Sequence, residues 1–216
     1  MLPSMRYTMN DLTSQPVKNL DDLQSLVGGT PHPIVPQKIF DHIEEKASGF
    51  IAKSGFVLLS TSDVKGHQDV SPKGDAPGFV WQEDSQTIWI PDRPGNKLAF
   101  GLKNILENPQ VGLLFLLPGT QETLRINGLA EIHASSSIRS KLSARGKPAV
   151  VAIRVAVEEC FFHCAKALKR SELWNYEKWP ERYAISFGEL LAPKTGGRNN
   201  AKEIDQMVEQ DYREGL

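Results

Sequence analysis

The chain has 216 residues, of which 40% are hydrophobic and 24% are charged, values that predict an ordinary globular core and favour one large domain over two. Its 25 basic and 26 acidic residues give a formal net charge of -1, so no overall field draws the protein to nucleic acid or to an anionic membrane. The 17 glycines and 14 prolines are too few for a collagenous or low-complexity chain.

Helices are predicted at the N-terminal end. Apolar residues recur at helical spacing over residues 20–27, and Gly28 follows them as a stop signal. A second helix is predicted over 36–53, with its apolar residues on one face and Gly55 after it. Neither segment contains a chemical motif, so residues 1–49 are interpreted as an N-terminal helical extension.

The central part of the chain predicts short strands. The strand-like segments are 56–61, 67–71, 78–82, 87–90, 111–117, 123–133 and 150–160. Short helices are predicted between them, over 96–106 and 135–144. Because no regular long helix separates the strands, we expect antiparallel pairing. The sequence therefore predicts a mainly β, α+β fold: an antiparallel barrel of six or seven strands, closed or split, with helices outside it.

Helical patterns return after residue 160, over 165–173, 181–191 and 201–212. We interpret residues 50–174 as one barrel domain. Residues 175–216 are then a C-terminal helical extension packed on that domain.

The cysteine content predicts a protein of the reducing cytoplasm. Cys160 and Cys164 are too few for a secreted disulfide framework, and the first ten residues lack an apolar signal region. The longest apolar run, 111–118, is too short to cross a bilayer. With His163 the cysteines give only three close candidate ligands, so we predict no metal and interpret both thiols as small core residues.

The first polar cluster is residues 69–75, at the end of the second predicted strand. Its proline and glycine predict an irregular edge with free backbone amides, from which Lys73 projects. A plain turn with a surface lysine fits the same composition.

The second cluster, residues 90–97, leads from a strand into a predicted helix. The first amides of a helix have no internal partner and favour an anion, and Arg93 and Lys97 add two positive charges. This pattern favours a phosphate site. A capped helix with solvated basic residues is the alternative.

The third cluster lies on one strand. Alternation places Thr123, Arg125 and Asn127 on one face of the strand. This face is either exposed to solvent or part of a lined pocket. The chain has no Gly-x-Ser-x-Gly elbow, P-loop or Gly-x-Gly-x-x-Gly fingerprint, which weighs against hydrolases, NTPases and Rossmann enzymes. Basic and aromatic residues are not interleaved as in a nucleic-acid platform.

Together these clusters resemble the FMN-binding split barrels of the pyridoxamine 5'-phosphate oxidase-like superfamily. The nearest resemblance is to a subgroup of FMN-dependent enzymes whose reactions are uncharacterised. The segments that carry it are 69–75, 77–80, 91–96, 104–109, 123–128 and 162–167. It extends over about residues 50–174.

The resemblance implies a six-stranded antiparallel split barrel of Greek-key type. It also implies a homodimer that holds FMN in two grooves at its interface, each flavin touching both subunits. The phosphate ligands that it implies are Arg93, Asn96 and Lys97. The residues that it places at the isoalloxazine ring or the substrate are Val70, Ser71 and Lys73.

Further site residues follow from the same resemblance. Backbone contacts to the ring are implied for Ile90 and Pro91, and contacts to its polar edge for Thr123 and Arg125. Three residues are expected to reach the site of the partner subunit, namely Lys166, Arg170 and Trp174.

The expected function is an FMN-dependent oxidoreductase, oxidase or reductase, acting on an unidentified small molecule. No protein nucleophile is required, and no catalytic residue is assigned. The Arg-x-His-x-Arg signature of the superfamily's founding enzyme is missing after Trp174, which weighs against pyridoxamine phosphate as the substrate. The alternatives are a non-catalytic flavin-binding or regulatory module, or a barrel that binds haem through His67 or His163, or a deazaflavin.

Overall fold

The structure is a computed structural model that describes residues 16–95, 97–196 and 200–215. The chain forms two compact units, with the boundary between Lys38 and Ile39. The first unit contains helix α1 (Leu20–Val27), which ends at Gly28 in the left-handed conformation with φ 91°. The helix predicted over 20–27 is confirmed.

The second predicted helix is wrong in its first half. Residues Pro36–Lys38 form a single 3-10 turn, and α2 spans Glu45–Lys53. Between them Phe40 is extended, because its amide donates to the Cys160 carbonyl at 3.1 Å and its carbonyl accepts from the Cys160 amide at 2.8 Å. A helix cannot continue through a residue whose backbone pairs with a strand.

The second unit is built on an antiparallel sheet. Among the described residues its strands are β1 (Phe56–Ser62), β2 (Gln68–Gly74), β3 (Trp81–Gln82), β4 (Thr87–Pro91), β5 (Gln110–Leu116), β6 (Thr123–His133) and β7 (Ala152–His163). Their order is β2-β1-β5-β6-β7-β4-β3, and every neighbouring pair is antiparallel. The α+β class and the antiparallel pairing are confirmed.

The strand count differs from the six strands that the resemblance implied. The described residues contain seven strands, because the two-residue β3 pairs with β4 through Trp81 and Gln82. Over the described ranges the sheet is not closed by hydrogen bonds, since β2 and β3 form its two edges, and this agrees with a split barrel.

Helices cover the sheet and follow it. Beyond α2 they are α3 (Phe100–Glu107), α4 (Ser136–Lys141), α5 (Lys166–Ser171), α6 (Phe187–Leu191) and α7 (Ala201–Gly215). The helix predicted from residue 96 begins at Phe100, and the one predicted over 181–191 shortens to α6. Within the described ranges no helix combines the length and the apolar character that crossing a membrane requires.

Side-chain alternation along the strands separates a core face from an outward face. The largest core residues of β1, β5, β6 and β7 are Val57, Leu59, Phe115, Leu124, Ile126, Ile153 and Val155. The intervening residues, such as Leu58 and Leu114, face outward and are half-buried. β4 is different, because all five of its residues are buried. Outward side chains of the other strands can therefore take part in a binding site. In β4 mainly the backbone is able to contact a ligand.

Candidate functional site

Two ion pairs bridge the open side of the sheet. Lys73 Nζ lies 2.5 Å from Asp92 Oδ1, and Arg93 Nε lies 2.9 Å from Asp75 Oδ2. All four side chains are at most 24% exposed, so water and salt screen these pairs less than surface pairs. These ion pairs therefore connect the end of β2 to the segment after β4, which strand hydrogen bonds do not connect in the described part of the chain.

A cavity of about 510 Å³, here called the rim cavity, lies beside these ion pairs. Its walls come from β2, from the segment after β4 and from the first turn of α3. The predicted site residues that line it are Val70, Ser71, Lys73, Arg93 and Lys97. The structure therefore brings the first and second sequence clusters together. Asn96, also predicted here, lies outside the described residues.

The positive charge of the rim cavity is largely offset. Lys73 and Arg93 are each paired with an aspartate, and Arg93 Nη1 also donates to the Leu142 carbonyl at 2.8 Å. These bonds use two of the five N–H donors of the Arg93 guanidinium. Lys97 is exposed and has no carboxylate partner in the part of the chain that the structure describes. Lys97 and the remaining donors of Arg93 are therefore the groups best placed to hold an anion.

The backbone that leads into α3 is strained. Lys97 has φ 62° and Ala99 has φ 54°, a left-handed region that residues with a β-carbon adopt rarely and at a cost of about 1 kcal/mol or more. Ala99 begins the helix without a side-chain cap, so it leaves the first amides of α3 without that partner. Both features lie on the wall of the rim cavity, where such strain is typical of a binding site.

A buried hydroxyl without a hydrogen-bond partner indicates what kind of ligand the rim cavity fits. Ser71 Oγ is inaccessible to solvent and has no hydrogen-bond partner among the described residues. Burial of an unpaired hydroxyl costs about 1 to 3 kcal/mol, so such a group is usually completed by water or a ligand. With the cations nearby, the lining fits a polar molecule that carries a phosphate.

The predicted residues of β4 have a different environment. Ile90 and Pro91 are buried and pair with Ile153 and Ala152 of β7. Neither lines the rim cavity. Any contact that they make with a ligand is through the backbone, and Pro91 has no amide hydrogen to donate.

A second cavity, of about 590 Å³, lies on the outward face of β1, β5 and β6 and is here called the sheet-face cavity. It is lined by apolar residues such as Leu58 and Leu114, and by Thr123, Arg125 and Asn127. The polar face that alternation predicted on β6 is therefore part of a lined pocket. The Arg125 guanidinium lies 5.1 Å above the ring of Phe161. Val70 lines both cavities.

The last three predicted site residues lie elsewhere. Lys166 and Arg170 are on α5, and Trp174 follows it. Trp174 Nε1 donates to the Thr120 carbonyl at 2.8 Å. None of the three lines the rim cavity or the sheet-face cavity of its own chain.

The two cysteines differ from each other. Cys160 is in the core, where burial, with a smaller contribution from the Glu44 carboxylate, raises the pKa of its thiol to about 11. Cys164 is exposed and lines the sheet-face cavity, so its interpretation as a core residue is wrong. Among the described residues, no three His, Cys, Asp or Glu side chains group as metal ligands.

The two histidines considered for haem also separate. His163 lines the sheet-face cavity. His67 lies in the turn before β2, and its Nδ1 is 2.7 Å from Asp63 Oδ2. Of the two, His163 alone borders a cavity described here.

Several lining residues were missed by the sequence reasoning. Asp69, Asp92, Phe100 and Gly101 all line the rim cavity. Alternation could have found Asp69, since it shares a strand face with Ser71. No sequence signal indicates that the first turn of α3 closes against β2, because that contact depends on the curl of the whole sheet.

Comparison with known proteins gives one family match. The sequence profile described as pyridoxamine 5'-phosphate oxidase matches residues 43–164, more than half of the chain. No curated protein sequence matches the chain significantly.

Solved structures that match part of this chain come from several bacteria. HupZ from Group A Streptococcus is 18% identical, with a TM-score of 0.46 over 56% of this chain and 93% of that one. A putative pyridoxamine 5'-phosphate oxidase from Lactobacillus delbrueckii is 22% identical, with a TM-score of 0.45 over 56% and 95%. HutZ, the haem storage protein from Vibrio cholerae, is 14% identical, with a TM-score of 0.40 over 56% and 93%.

Proposed function

Since the chain belongs to the pyridoxamine 5'-phosphate oxidase family, we propose that it binds FMN and acts as an FMN-dependent oxidoreductase on a small molecule. The observation that carries this proposal is the rim cavity, where Ser71 and Lys73 of β2 meet Arg93 and Lys97. FMN, when bound, would supply the hydride chemistry, so the protein would need only to bind, orient and polarise the cofactor.

Arg93 and Lys97 would hold the phosphate of the cofactor. Asp75 and the Leu142 carbonyl fix the Arg93 guanidinium in one orientation, which lowers the entropy lost on binding. The uncapped first turn of α3 adds amides that favour an anion.

Arg125 is the better candidate to stabilise negative charge on a reduced flavin. Lys73 is already neutralised by Asp92, whereas Arg125 lies over an aromatic ring and has no carboxylate partner among the described residues. A cation close to the site of developing charge stabilises the anionic form. Val70, which lines both cavities, connects this face to the phosphate side.

A homodimer would complete the site. Val70 is 58% exposed, and the half-buried Leu58, Leu114 and Leu116 extend the apolar surface around it. A second copy related by a two-fold axis would cover this face and could bring its own Lys166, Arg170 and Trp174 to the flavin. We also propose a reducing, cytoplasmic setting, because Cys160 and Cys164 are both free thiols.

Purification with spectroscopy tests the cofactor. We expect a yellow protein, or a colourless one that takes up added FMN and quenches its fluorescence. Anaerobic addition of NADH, NADPH and candidate donors then tests turnover through bleaching of the flavin. A preparation that neither contains nor takes up FMN would contradict the proposal. A protein that binds FMN but passes electrons to no acceptor would be a flavin-binding module instead.

Haem binding is the second candidate. His163 borders the mainly apolar sheet-face cavity and could supply an axial ligand. A Soret band in the purified or haem-titrated protein, lost in His163→Ala, would favour this function. Flavin absorbance without a Soret band would exclude it.

A further inference from the structure

A third cavity continues the sheet-face cavity along the outward side of the sheet. It has a volume of about 580 Å³ and is here called the polar groove. The two cavities share Ser60, Gly112 and Asn127. No lysine or arginine of the described residues lines the polar groove. Its remaining polar side chains are Thr61, Ser62, Gln68, Gln110, Glu158 and Glu159.

A β-bulge brings two carboxylates to the polar groove. In a regular strand, neighbouring side chains point to opposite faces of the sheet. In the pair of β6 with β7, Glu159 lies opposite Asn127. The next pair is Val157 with Gly128, so Glu158 is an extra residue. The bulge depends on Gly128, because a β-carbon there would overlap a carbonyl oxygen of β7. Glu158 and Glu159 consequently line the same groove, and both are exposed.

The negative charge of the polar groove is not offset by a cation. Glu159 Oε2 accepts from Asn127 Nδ2 at 2.7 Å, and this amide donor is neutral. Glu158 has no hydrogen-bond or ion-pair partner in the part of the chain that the structure describes. Two neighbouring carboxylates repel each other, so a cation close to both would stabilise them.

The opposite end of the same face is basic. β7 runs from Glu159 to His163, a distance of about 13 Å at the usual rise of a strand. α5 follows β7 and borders the sheet-face cavity. Three exposed cations of α5 have no carboxylate partner among the described residues, namely Lys166, Lys169 and Arg170.

A two-fold axis perpendicular to the face would exchange these two ends. In a dimer of this kind the same patch serves both subunits, so the basic end of one copy meets the acidic end of the other at two places. Leu58 and Leu114 lie between the ends and would be covered. A second copy is thus complementary to the whole face, in charge at its ends and in polarity at its centre.

We infer that the polar groove receives α5 of a second copy of this chain, with Glu158 and Glu159 facing the partner's Lys169. This inference rests on the homodimer in the proposed function. It adds to that dimer the register of the two subunits and the charged residues that select for it.

Charge reversal in two separate variants is the principal test. The first is Lys169→Glu, which leaves the residues expected at the flavin in place. The second is Glu158→Lys combined with Glu159→Lys. In the homodimer of either variant, like charges would face each other at two places, so its dissociation constant should rise by at least about tenfold. Sedimentation velocity measures this constant.

Matched controls carry the same changes of charge away from the face. Lys65→Glu lies in the turn after β1, and Glu209→Lys combined with Asp211→Lys lies on α7. None of these residues lines the polar groove, the sheet-face cavity or the rim cavity. Both controls should dimerise as the wild type does.

An equimolar mixture of the two reversed variants tests whether the charges face one another. In the mixed dimer each reversed end meets an oppositely charged end of the other chain, so both contacts are attractive again. The mixture should form a heterodimer with a dissociation constant within about threefold of the wild-type value. Native mass spectrometry identifies the heterodimer by its mass, and its formation also shows that both variants fold.

Salt gives a second measurement, which needs no reversed charge. Ions screen exposed ion pairs, so an increase from about 0.05 to about 0.5 M NaCl should weaken the wild-type dimer by at least about threefold. Lys169→Gln removes the charge and should show a smaller change. Equal changes in the two proteins would contradict the inference.

The outcomes separate this inference from the proposed function. Reversed variants that dimerise as tightly as their controls, or a mixture that stays monomeric, overturn the inference while the dimer and the flavin proposal stand. A wild-type monomer overturns the inference together with the proposed dimer, and FMN titration of that monomer tests the cofactor separately. A wild-type dimer that binds no FMN contradicts the proposed cofactor alone.

Discussion

The rim cavity and the sheet-face cavity have similar volumes, about 510 and 590 Å³, but different chemistry. The rim cavity lies beside two ion pairs and is lined by lysine, arginine and aspartate side chains. The sheet-face cavity is lined mainly by apolar residues, of which leucine is the commonest, and Arg125 also lines it. The difference teaches that one side of this fold presents charged groups that can hold an anion, whereas the other presents a mainly apolar surface.

The largest expected effect concerns the apolar side. Leu58→Glu places a carboxylate on the sheet face, twice in a symmetric dimer, where its strand partners are Pro72 and Leu114 and no described cation lies directly opposite it. An unpaired charge buried at an interface costs about 3 to 5 kcal/mol, so the dimer dissociation constant should rise by more than about a hundredfold. Sedimentation velocity measures this.

Leu106→Glu is the matched control, because Leu106 is 76% exposed on α3 and lines neither cavity. It should leave the dimer intact. A wild-type monomer, or a Leu58→Glu variant that dimerises as well as the control, would show that the sheet face is not the interface.

The next effect concerns the charged side. Arg93→Ala combined with Lys97→Ala should weaken FMN by at least about tenfold, since each charge-assisted contact contributes about 1.5 to 3 kcal/mol. Riboflavin, which has no phosphate, should bind as before. Fluorescence titration of both ligands measures the difference.

Stability must be followed in the same variants. Arg93→Ala leaves Asp75 without its ion-pair partner and so lowers stability. Lys97→Ala breaks no described ion pair, so its effect on FMN affinity is measured without that loss of stability. Lys53→Ala with Lys65→Ala removes two exposed lysines away from both cavities and serves as the charge control. Unchanged FMN affinity in the double variant would show that residues other than Arg93 and Lys97 bind the phosphate.

A smaller effect is expected from the ion pairs that hold the rim cavity together. Asp75→Asn should lower the free energy of unfolding by about 1 kcal/mol, because the pair with Arg93 is partly buried. The exposed pair of Lys178 with Glu172 should contribute less than about 0.5 kcal/mol, as Glu172→Gln will report. Urea unfolding compares the two. Equal changes would mean that burial does not strengthen the rim pair.

The smallest effects concern the cysteines. Cys164→Ser should leave the cofactor content unchanged, since it replaces one small side chain with another. In the folded protein at pH 8 a thiol reagent should modify Cys164 alone, because the Cys160 thiol is buried with a pKa of about 11 and forms almost no thiolate. Mass spectrometry should count one adduct in the folded chain and two after denaturation. Two adducts on the folded chain would contradict the buried position of Cys160.

Strand positions could be predicted because alternation is a local property. β6 has its predicted ends at residues 123 and 133, and Thr123, Arg125 and Asn127 share a face as their spacing requires. The segment around Phe40 could not be predicted, since its extended backbone depends on a bond to Cys160, far along the chain. In this segment, pairing with a strand determined the backbone conformation more strongly than the helical spacing of apolar residues did.

The candidate site was predictable in part for the same reason. Residue types at a strand end and a helix start indicated phosphate chemistry at Arg93 and Lys97, and the structure lines one cavity with both. Their pairing with aspartates was not predictable, because Lys73 and Asp92 are 19 positions apart and meet only when the sheet curls. The roles of the predicted site residues and the division into terminal extensions stay predictions.

The sequence by itself determined the fold class, most strands and the two clusters from which the site is built. These follow from spacing and residue type, which act over a few positions. The tertiary structure alone decided which charges are neutralised. It also decided that the Ser71 hydroxyl has no hydrogen-bond partner among the described residues and that the Asp69 carboxylate lies next to Gly101 of α3. Those facts depend on the path of the chain in three dimensions, because electrostatic and hydrogen-bonding partners are set by distance in space.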